Sequence, residues 1–165
     1  MIINEERSEQ QAYLKLAELC ARGEHCQYEL TEKMRKWHIE ETAQASIMAR
    51  LIKEQYVDDE RFARAFVNDK IKYSRWGRRK VEQALWQKHI DANIAQQVLD
   101  DIEDDTYIAI LSPMLKQKRK SIIAKNDYER NMKLIKWALG RGFTMDIIRQ
   151  CITVENEDEF LDETT

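Results

Sequence analysis

Two short runs of basic residues are the part of the sequence best suited to chemistry, and that chemistry is the binding of anions. Guanidinium and ammonium groups pair with phosphate and carboxylate oxygens through charge-assisted hydrogen bonds. The runs predict a surface for a nucleic acid or an acidic protein. The residues that we predict to bind such a partner are Arg75, Arg78, Arg79 and Lys80 in the first run and Lys116, Lys118, Arg119 and Lys120 in the second.

The distribution of charge supports the second run as a binding surface. The chain has a formal net charge of −3, yet residues 105–153 alone carry +6. Residues 1–57 and 58–104 sum to −2 and −1, and residues 154–165 hold six acids and no bases. An anionic partner is therefore expected to be drawn to residues 105–153.

The first run lies at the start of a predicted helix over residues 76–90. The N-terminal end of a helix dipole is positive and disfavours cations, so helix stability does not explain four bases at this place. The alternative is that both runs form ordinary solvated helix faces. Among the nearby aromatic residues Tyr73, Trp76 and Trp86, Trp76 is suited to stacking on a base and equally suited to packing inside the repeat array.

An enzyme is poorly supported by the remaining residues. The sequence has no glycine-rich nucleotide loop, no cluster with metal-ligand spacing and no nucleophile paired with a base. Asp58 and Asp59 are adjacent carboxylates of the kind that bind a metal ion, but helix capping explains them better. We expect no catalytic residue, no bound metal and no cofactor.

Three copies of one hydrophobic pattern organise the chain and must position these residues. The copies are Leu30, Met34 and Ile39; Val81, Leu85 and Ile90; and Leu134, Ala138 and Phe143. Their closing residues are 51 and 53 positions apart, and such a period is typical of stacked repeats. With 35% charged residues, four glycines and one proline, the composition favours helix. We predict an all-α, elongated and curved tandem array of three three-helix repeats, with about nine helices.

The boundaries of the repeats follow from the junctions between them. Asp58, Asp91 and Thr144 are suited to capping helices, whereas Glu40 is a weak cap. Cys26 and Glu29 have the spacing of a capping box, with a thiol as a weak acceptor. The predicted units are residues 5–57, 58–103 and 104–153, followed by an acidic tail at 154–165 that we expect to be disordered.

The sequence also indicates where the protein works. No apolar run approaches the roughly 20 residues that cross a membrane, and the acidic start MIINEERSEQ is unlike a signal peptide. We expect a cytoplasmic monomer.

Several of these segments resemble the RecX family of recombination regulators. The resemblance spans about residues 8–153, and the segment at 56–63 and the glycine-led segment at 77–81 are its most specific parts. Members of the family usually have serine at the position of Cys26. The matching segments are residues 25–30 with Lys33 and Met34, residues 56–63, residues 77–81 with Leu85, residues 88–90, and residues 141–143.

The resemblance implies a partner and an activity. RecX proteins bind the RecA recombinase filament on single-stranded DNA and usually block its extension, ATP hydrolysis and strand exchange. On this hypothesis, charge reversal at Arg78 and Arg79 weakens inhibition without unfolding the chain, binding to bare DNA is weak, and the acidic tail competes with DNA for residues 105–153. The alternatives are a helical-repeat DNA-binding protein that acts without a recombinase and a helical adaptor for another protein.

Overall fold

A computed structural model describes the backbone of residues 2–152 and the side chains of residues 8–152. All regular structure in this range is helical, with nine helices, which confirms the all-α repeat prediction. The predicted tail at 154–165 lies outside the described residues. The helices are α1 (Ile2–Arg22), α2 (Gln27–Lys36), α3 (Glu41–Lys53), α4 (Asp59–Lys72), α5 (Arg78–Gln87), α6 (Ala92–Asp100), α7 (Asp104–Arg119), α8 (Asp127–Gly140) and α9 (residues 145–152).

The residues that were predicted to cap helices lie at the starts of those helices. Asp58, Asp91 and Thr144 accept backbone N–H groups two or three residues later, at 3.1, 2.9 and 3.5 Å. Glu40 makes no capping hydrogen bond with its side chain. These local bonds satisfy helix donors that would otherwise lack a partner, so the helix starts are encoded close to where they form.

The described residues form two compact units, and each has a buried core. The first unit comprises residues 2–66 and 85–96, and its core includes Leu16, Leu30, Met34 and Leu51, all fully buried. Here α3 packs against both α1 and α2. Removing these side chains from water stabilises the unit by about 2 kcal/mol each.

The second unit comprises residues 67–84 and 97–152 of the described chain. Its core includes Val81, Leu111, Leu134 and Phe143, which are at most 1% exposed. Val81, Leu134 and Phe143 belong to the repeated hydrophobic pattern, so the periodic positions are scaffold residues. Helices α7 and α8 pack on each other in this unit.

Within the first unit, side chains hold the start of α2 against the end of α5, a contact that we call the first joint (residues 26–29 with 88–89). Lys88 Nζ lies 3.1 Å from Glu29 Oε2. The ring of Tyr28 stacks on that of His89, with centroids 4.1 Å apart and planes 6° apart. The thiol of Cys26 donates to the carbonyl oxygen of Lys88 at 3.7 Å.

Within the second unit, the start of α5 meets the end of α8 in a contact that we call the second joint (residues 74–80 with 141–143). The N–H of Gly77 donates to the carbonyl oxygen of Arg141 at 2.9 Å, and the N–H of Arg79 donates to that of Gly142 at 3.0 Å. A Cβ on Gly77 would overlap the backbone of Gly142 and Phe143. Close approach of two backbones is therefore what requires glycine at this position.

The residue before each closing hydrophobe has a left-handed backbone. His38, His89 and Gly142 have φ values of 57°, 55° and 94°. This conformation ends a helix and is costly for residues other than glycine. All three repeats therefore close their central helix in the same way, with glycine only in the third.

Candidate functional site

A groove on α7 in the second unit has a volume of about 560 Å³. Ile110, Pro113 and Met114 of α7 form its apolar wall together with Trp137 of α8. We call it the basic groove, because Lys72, Arg75 and Lys118 also line it. An apolar surface edged by cations suits a ligand that carries both negative charge and an apolar group.

The basic groove brings together one residue from each predicted basic run. Arg75 comes from the first run, is exposed and has a left-handed backbone with φ of 57°. Lys118 comes from the second run, and its Nζ lies 5.6 Å from the ring centroid of Trp137. The two runs are 40 or so residues apart in sequence, so only the fold places these cations on one surface.

Arg141 fixes the loop that carries Arg75. Its Nη2 donates to the carbonyl oxygens of Ser74 and Arg75, at 3.1 and 3.4 Å. Its guanidinium carbon lies 5.5 Å from the ring centroid of Trp137, a distance typical of cation–π contact. The loop, the ring and the groove are thus positioned by one side chain.

The rest of the first run is divided between internal contacts and solvent. Arg78 Nη2 lies 2.6 Å from Asp100 Oδ1, so its charge already has a partner. Arg79 is exposed and makes no ion pair with any side chain of residues 8–152. Lys80 Nζ lies 4.6 Å from the ring centroid of Trp76. Arg79, like Arg75, is therefore an exposed cation of this run without an ion pair to the described side chains.

Arg78 also acts on a buried tyrosine. Burial raises the pKa of Tyr107 to about 12; the positive charge of Arg78 opposes that rise, and Asp104 adds to it. The hydroxyl of Tyr107 is buried and has no hydrogen-bond partner among the described residues. Arg78, at the positive N-terminal end of α5, thus interacts electrostatically with a buried tyrosine of its own chain. The sequence did not predict this interaction.

The nearby aromatic residues differ in their surroundings. Trp76 is half-buried, with Lys70 Nζ 5.1 Å and Lys80 Nζ 4.6 Å from its ring centroid. Two cations of its own chain thus lie near the ring of Trp76, as Lys118 and Arg141 lie near that of Trp137. Tyr73 and Trp86 are 81% and 77% exposed.

The second run is similarly divided. Lys116 and Lys120 are exposed, and Lys118 faces the basic groove. Arg119 is only 18% exposed at its side chain and lies 4.0 Å from a carboxylate oxygen of Asp127. Lys116 and Lys120 are thus the exposed cations of this run, and Lys118 is the one that lines the groove.

Sequence reasoning missed Lys72, Trp137 and Arg141, which complete the basic groove. Trp137 and Arg141 are four residues apart on and just after α8, and an aromatic residue and an arginine at that spacing share one helix face. That spacing was a usable signal. Lys72 had none, because no local pattern relates it to the α7 residues that line the groove with it.

The remaining candidate residues lack the features of a metal or nucleophilic site. No group of three or more His, Cys, Asp or Glu side chains within residues 8–152 is arranged to hold a metal ion. Asp59 accepts the N–H of Gln27 at 2.9 Å and Asp58 caps α4, as expected for helix starts. Burial raises the pKa of Cys26 to about 11, which keeps its thiol protonated. Over the same described range, no helix has the length and apolar character needed to span a bilayer.

Comparison with known proteins identifies the family. Residues 58–99 match the second three-helix domain of RecX, and residues 105–152 match the third. A regulatory protein RecX of Vibrio campbellii is 27% identical over 141 residues, which cover 86% of this chain and 89% of that protein. One of Chlorobium limicola is 29% identical over 149 residues, covering 89% of each.

A solved structure shares the fold. The crystal structure of RecX from Lactobacillus salivarius superposes with a TM-score of 0.79 at 22% identity, over 88% of this chain and 94% of that one. The two domain matches together cover more than half of the 165 residues. The helices that carry the second joint and the basic groove lie within the two matched domains, and the chain belongs to the RecX family of regulatory proteins.

Proposed function

We propose that this chain binds the RecA recombinase filament on single-stranded DNA and mostly inhibits its extension, ATP hydrolysis and strand exchange. It acts by contact and not by catalysis. The observation that carries the proposal is the basic groove, where Arg75 and Lys118 lie beside Trp137 in a member of the RecX family. Cations on one face match the phosphates of a nucleoprotein filament or an acidic recombinase surface.

Exposed cations of the second unit supply the contact. Lys72, Arg75, Arg79, Lys116 and Lys120 are exposed and form no ion pair with side chains of residues 8–152. Binding to a polyanion then releases counterions without first breaking internal salt bridges. Arg78 and Arg119 have internal partners and contribute less.

A titration of RecA activity tests the proposal. Increasing amounts of the chain are added to RecA on single-stranded DNA, and ATP hydrolysis and strand exchange are followed. Both rates are expected to fall at substoichiometric ratios, because blocking one filament end affects many subunits. Unchanged rates with a chain that circular dichroism shows to be folded would overturn the proposal.

A matched pair of variants tests the surface. Arg75→Glu with Lys118→Glu is expected to weaken inhibition by about tenfold, a cost of about 1.4 kcal/mol for two charge reversals. Lys53→Glu is the control, because Lys53 is exposed at the end of α3 in the first unit. Equal inhibition by the double variant and the control would exclude the basic groove as the contact surface.

The alternative function is direct binding of single-stranded DNA without a recombinase. Trp137, with Lys118 and Arg141 near its ring, has the aromatic and cationic groups that such binding uses. Fluorescence anisotropy with a labelled oligonucleotide at about 150 mM salt separates the two functions. A tight complex favours direct binding, whereas a weak one favours action through the filament. Capture of RecA only when DNA and nucleotide are present counts against an unrelated adaptor.

A further inference from the structure

We propose that the basic groove binds the C-terminal segment of the same chain, with Phe160 and Leu161 on its apolar wall and the flanking acids against its cations. The segment then acts as an internal competitor for anionic partners. This contact needs no recombinase, so its test does not depend on the function proposed above.

The composition of the segment matches the lining of the groove. Ile110, Pro113 and Met114 give the groove an apolar wall, and Phe160 and Leu161 are adjacent large apolar residues in an otherwise polar stretch. Burial of two such side chains removes apolar surface from water on both partners. Wall and segment therefore have complementary apolar surfaces.

The charges are also complementary. The residues on either side of the apolar pair are acidic: Glu155, Glu157, Asp158, Glu159, Asp162 and Glu163. Lys72 and Arg75 line the groove, are exposed and make no ion pair with any side chain of residues 8–152. Opposite charges at the edge of an apolar contact favour the bound arrangement and set its orientation.

Pro113 adds a backbone acceptor. Proline has no N–H, so Pro113 cannot donate to the carbonyl of Ala109, which lies four residues earlier in α7. Ala109 and Pro113 both line the groove. A backbone carbonyl without its regular helical donor can accept an N–H from a bound peptide segment.

The segment is long enough to reach. The thiol of Cys151 in α9 lies 4.0 Å from the carbonyl oxygen of Ile108, so the described chain ends beside α7. Eight residues from Ile152 to Phe160 span up to about 26 Å when extended. The groove residues from Ala109 to Lys118 cover only about 14 Å of helix.

Covalent attachment favours this occupant over others. A tethered segment has an effective concentration in the millimolar range, far above that of a second copy or of a separate protein at ordinary concentrations. The tail also carries the sign of charge that the groove selects. We therefore assign the groove to the tail of its own chain in the absence of a partner.

Nuclear magnetic resonance of the full-length, ¹⁵N-labelled chain tests the contact from both sides. Phe160→Ser is expected to shift the indole N–H resonance of Trp137 and the amide of Gln117, which line the groove. Lys118→Ala is expected to shift the amides of Glu159 and Leu161. The control is Lys53→Ala, since Lys53 is exposed at the end of α3 in the first unit.

Three results decide the proposal. Reciprocal shifts with both variants and none in the tail with Lys53→Ala support it. The proposal is overturned if the groove resonances do not shift with Phe160→Ser and the tail resonances do not shift with Lys118→Ala. Wild-type groove resonances that move toward the Phe160→Ser positions on dilution would assign the groove to a second copy and overturn it as well.

A binding measurement adds the regulatory consequence. If the tail occupies the groove nine-tenths of the time, releasing it tightens binding of single-stranded DNA by about tenfold. Phe160→Ser should show that gain by fluorescence anisotropy, and Thr164→Ser should not. An affinity unchanged by Phe160→Ser, despite reciprocal shifts, would overturn the competition between tail and DNA.

Discussion

The two joints occupy equivalent positions in the repeat but are held together by different chemistry. Cys26 and Gly77 are 51 residues apart and each precedes the central helix of its repeat. At the first joint, Glu29 and its neighbours contact Lys88 and His89 through side chains. At the second, backbone groups bond directly because Gly77 has no side chain.

This difference predicts different responses to mutation. The ion pair of the first joint is partly exposed and contributes about 0.5–1 kcal/mol, and the ring stack about as much again. Each can be removed without forcing atoms to overlap. The second joint does not tolerate a side chain at Gly77. An added Cβ there would overlap backbone atoms, which cannot rotate away as a side chain can.

The largest effect is expected from Gly77→Ala. The new methyl group overlaps the backbone of Gly142 and Phe143, so the second joint must open or the helices must shift. We expect a loss of about 3 kcal/mol or more in the free energy of unfolding. Urea denaturation followed by circular dichroism measures it.

Gly140→Ala is the matched control for Gly77→Ala. Gly140 lies in α8, near the same joint, but a Cβ there meets nothing within 4 Å. Alanine favours helix by about 1 kcal/mol over glycine, so this variant should be neutral or more stable. Equal losses in the two variants would mean that close backbone approach is not what requires Gly77.

The second effect concerns the first joint. Glu29→Ala removes the acceptor for the N–H of Cys26 at 3.2 Å and the partner of Lys88. We expect a loss of about 1–2 kcal/mol. A double-mutant cycle with Lys88→Met isolates the ion pair, and a coupling near zero would show that capping alone makes Glu29 useful.

The fold was predictable from the sequence because its signals are local or periodic. The spacing of Leu30, Val81 and Leu134 predicted the repeats, and Asp58 and Asp91 predicted helix starts through bonds to residues two or three positions away. Hydrophobic period and capping chemistry need no knowledge of distant parts of the chain. The structure therefore confirms the predicted repeats and the predicted helix starts.

The candidate site was only partly predictable because its contacts are long-range. Glu29 meets Lys88 across 59 residues and Arg141 meets Ser74 across 67. Basic residues with internal partners, such as Arg78, are indistinguishable in sequence from those facing solvent, such as Arg79. The sequence predicted which kind of partner the surface suits, and packing decided which cations remain exposed.

The two joints should also differ in their response to pH. Burial would raise the pKa of Glu29, but hydrogen bonds from the Cys26 N–H and Lys88 outweigh it, and His25 adds to them, so the pKa lies below its ordinary 4.5. Glu29 therefore stabilises the folded state above pH 4.5, and this contribution is lost as the pH falls through the lowered pKa. The backbone bonds between Gly77, Arg79 and residues 141–142 have no titrating group.

Unfolding free energies between pH 7 and pH 3 measure this difference. Wild type should lose more stability on acidification than Glu29→Gln, whose amide does not titrate. The Gly140→Ala variant should follow the wild-type profile, because it leaves Glu29 unchanged. Parallel profiles for wild type and Glu29→Gln would show that the first joint is insensitive to acid in this range.

The smallest effects come from the left-handed residues that close the central helices. His38→Gly relieves a positive φ at an exposed position and should raise the free energy of unfolding by about 0.5–1 kcal/mol. His89→Gly relieves the same strain but removes the stack on Tyr28, which contributes about 0.5–1.5 kcal/mol, so its net effect should be zero or destabilising. Thermal denaturation of both variants compares them directly. If His89→Gly stabilises as much as His38→Gly, the stack contributes nothing, and the first joint depends on Glu29 and Lys88 alone. A destabilised His89→Gly would instead explain why the second repeat keeps a strained histidine where the third has Gly142.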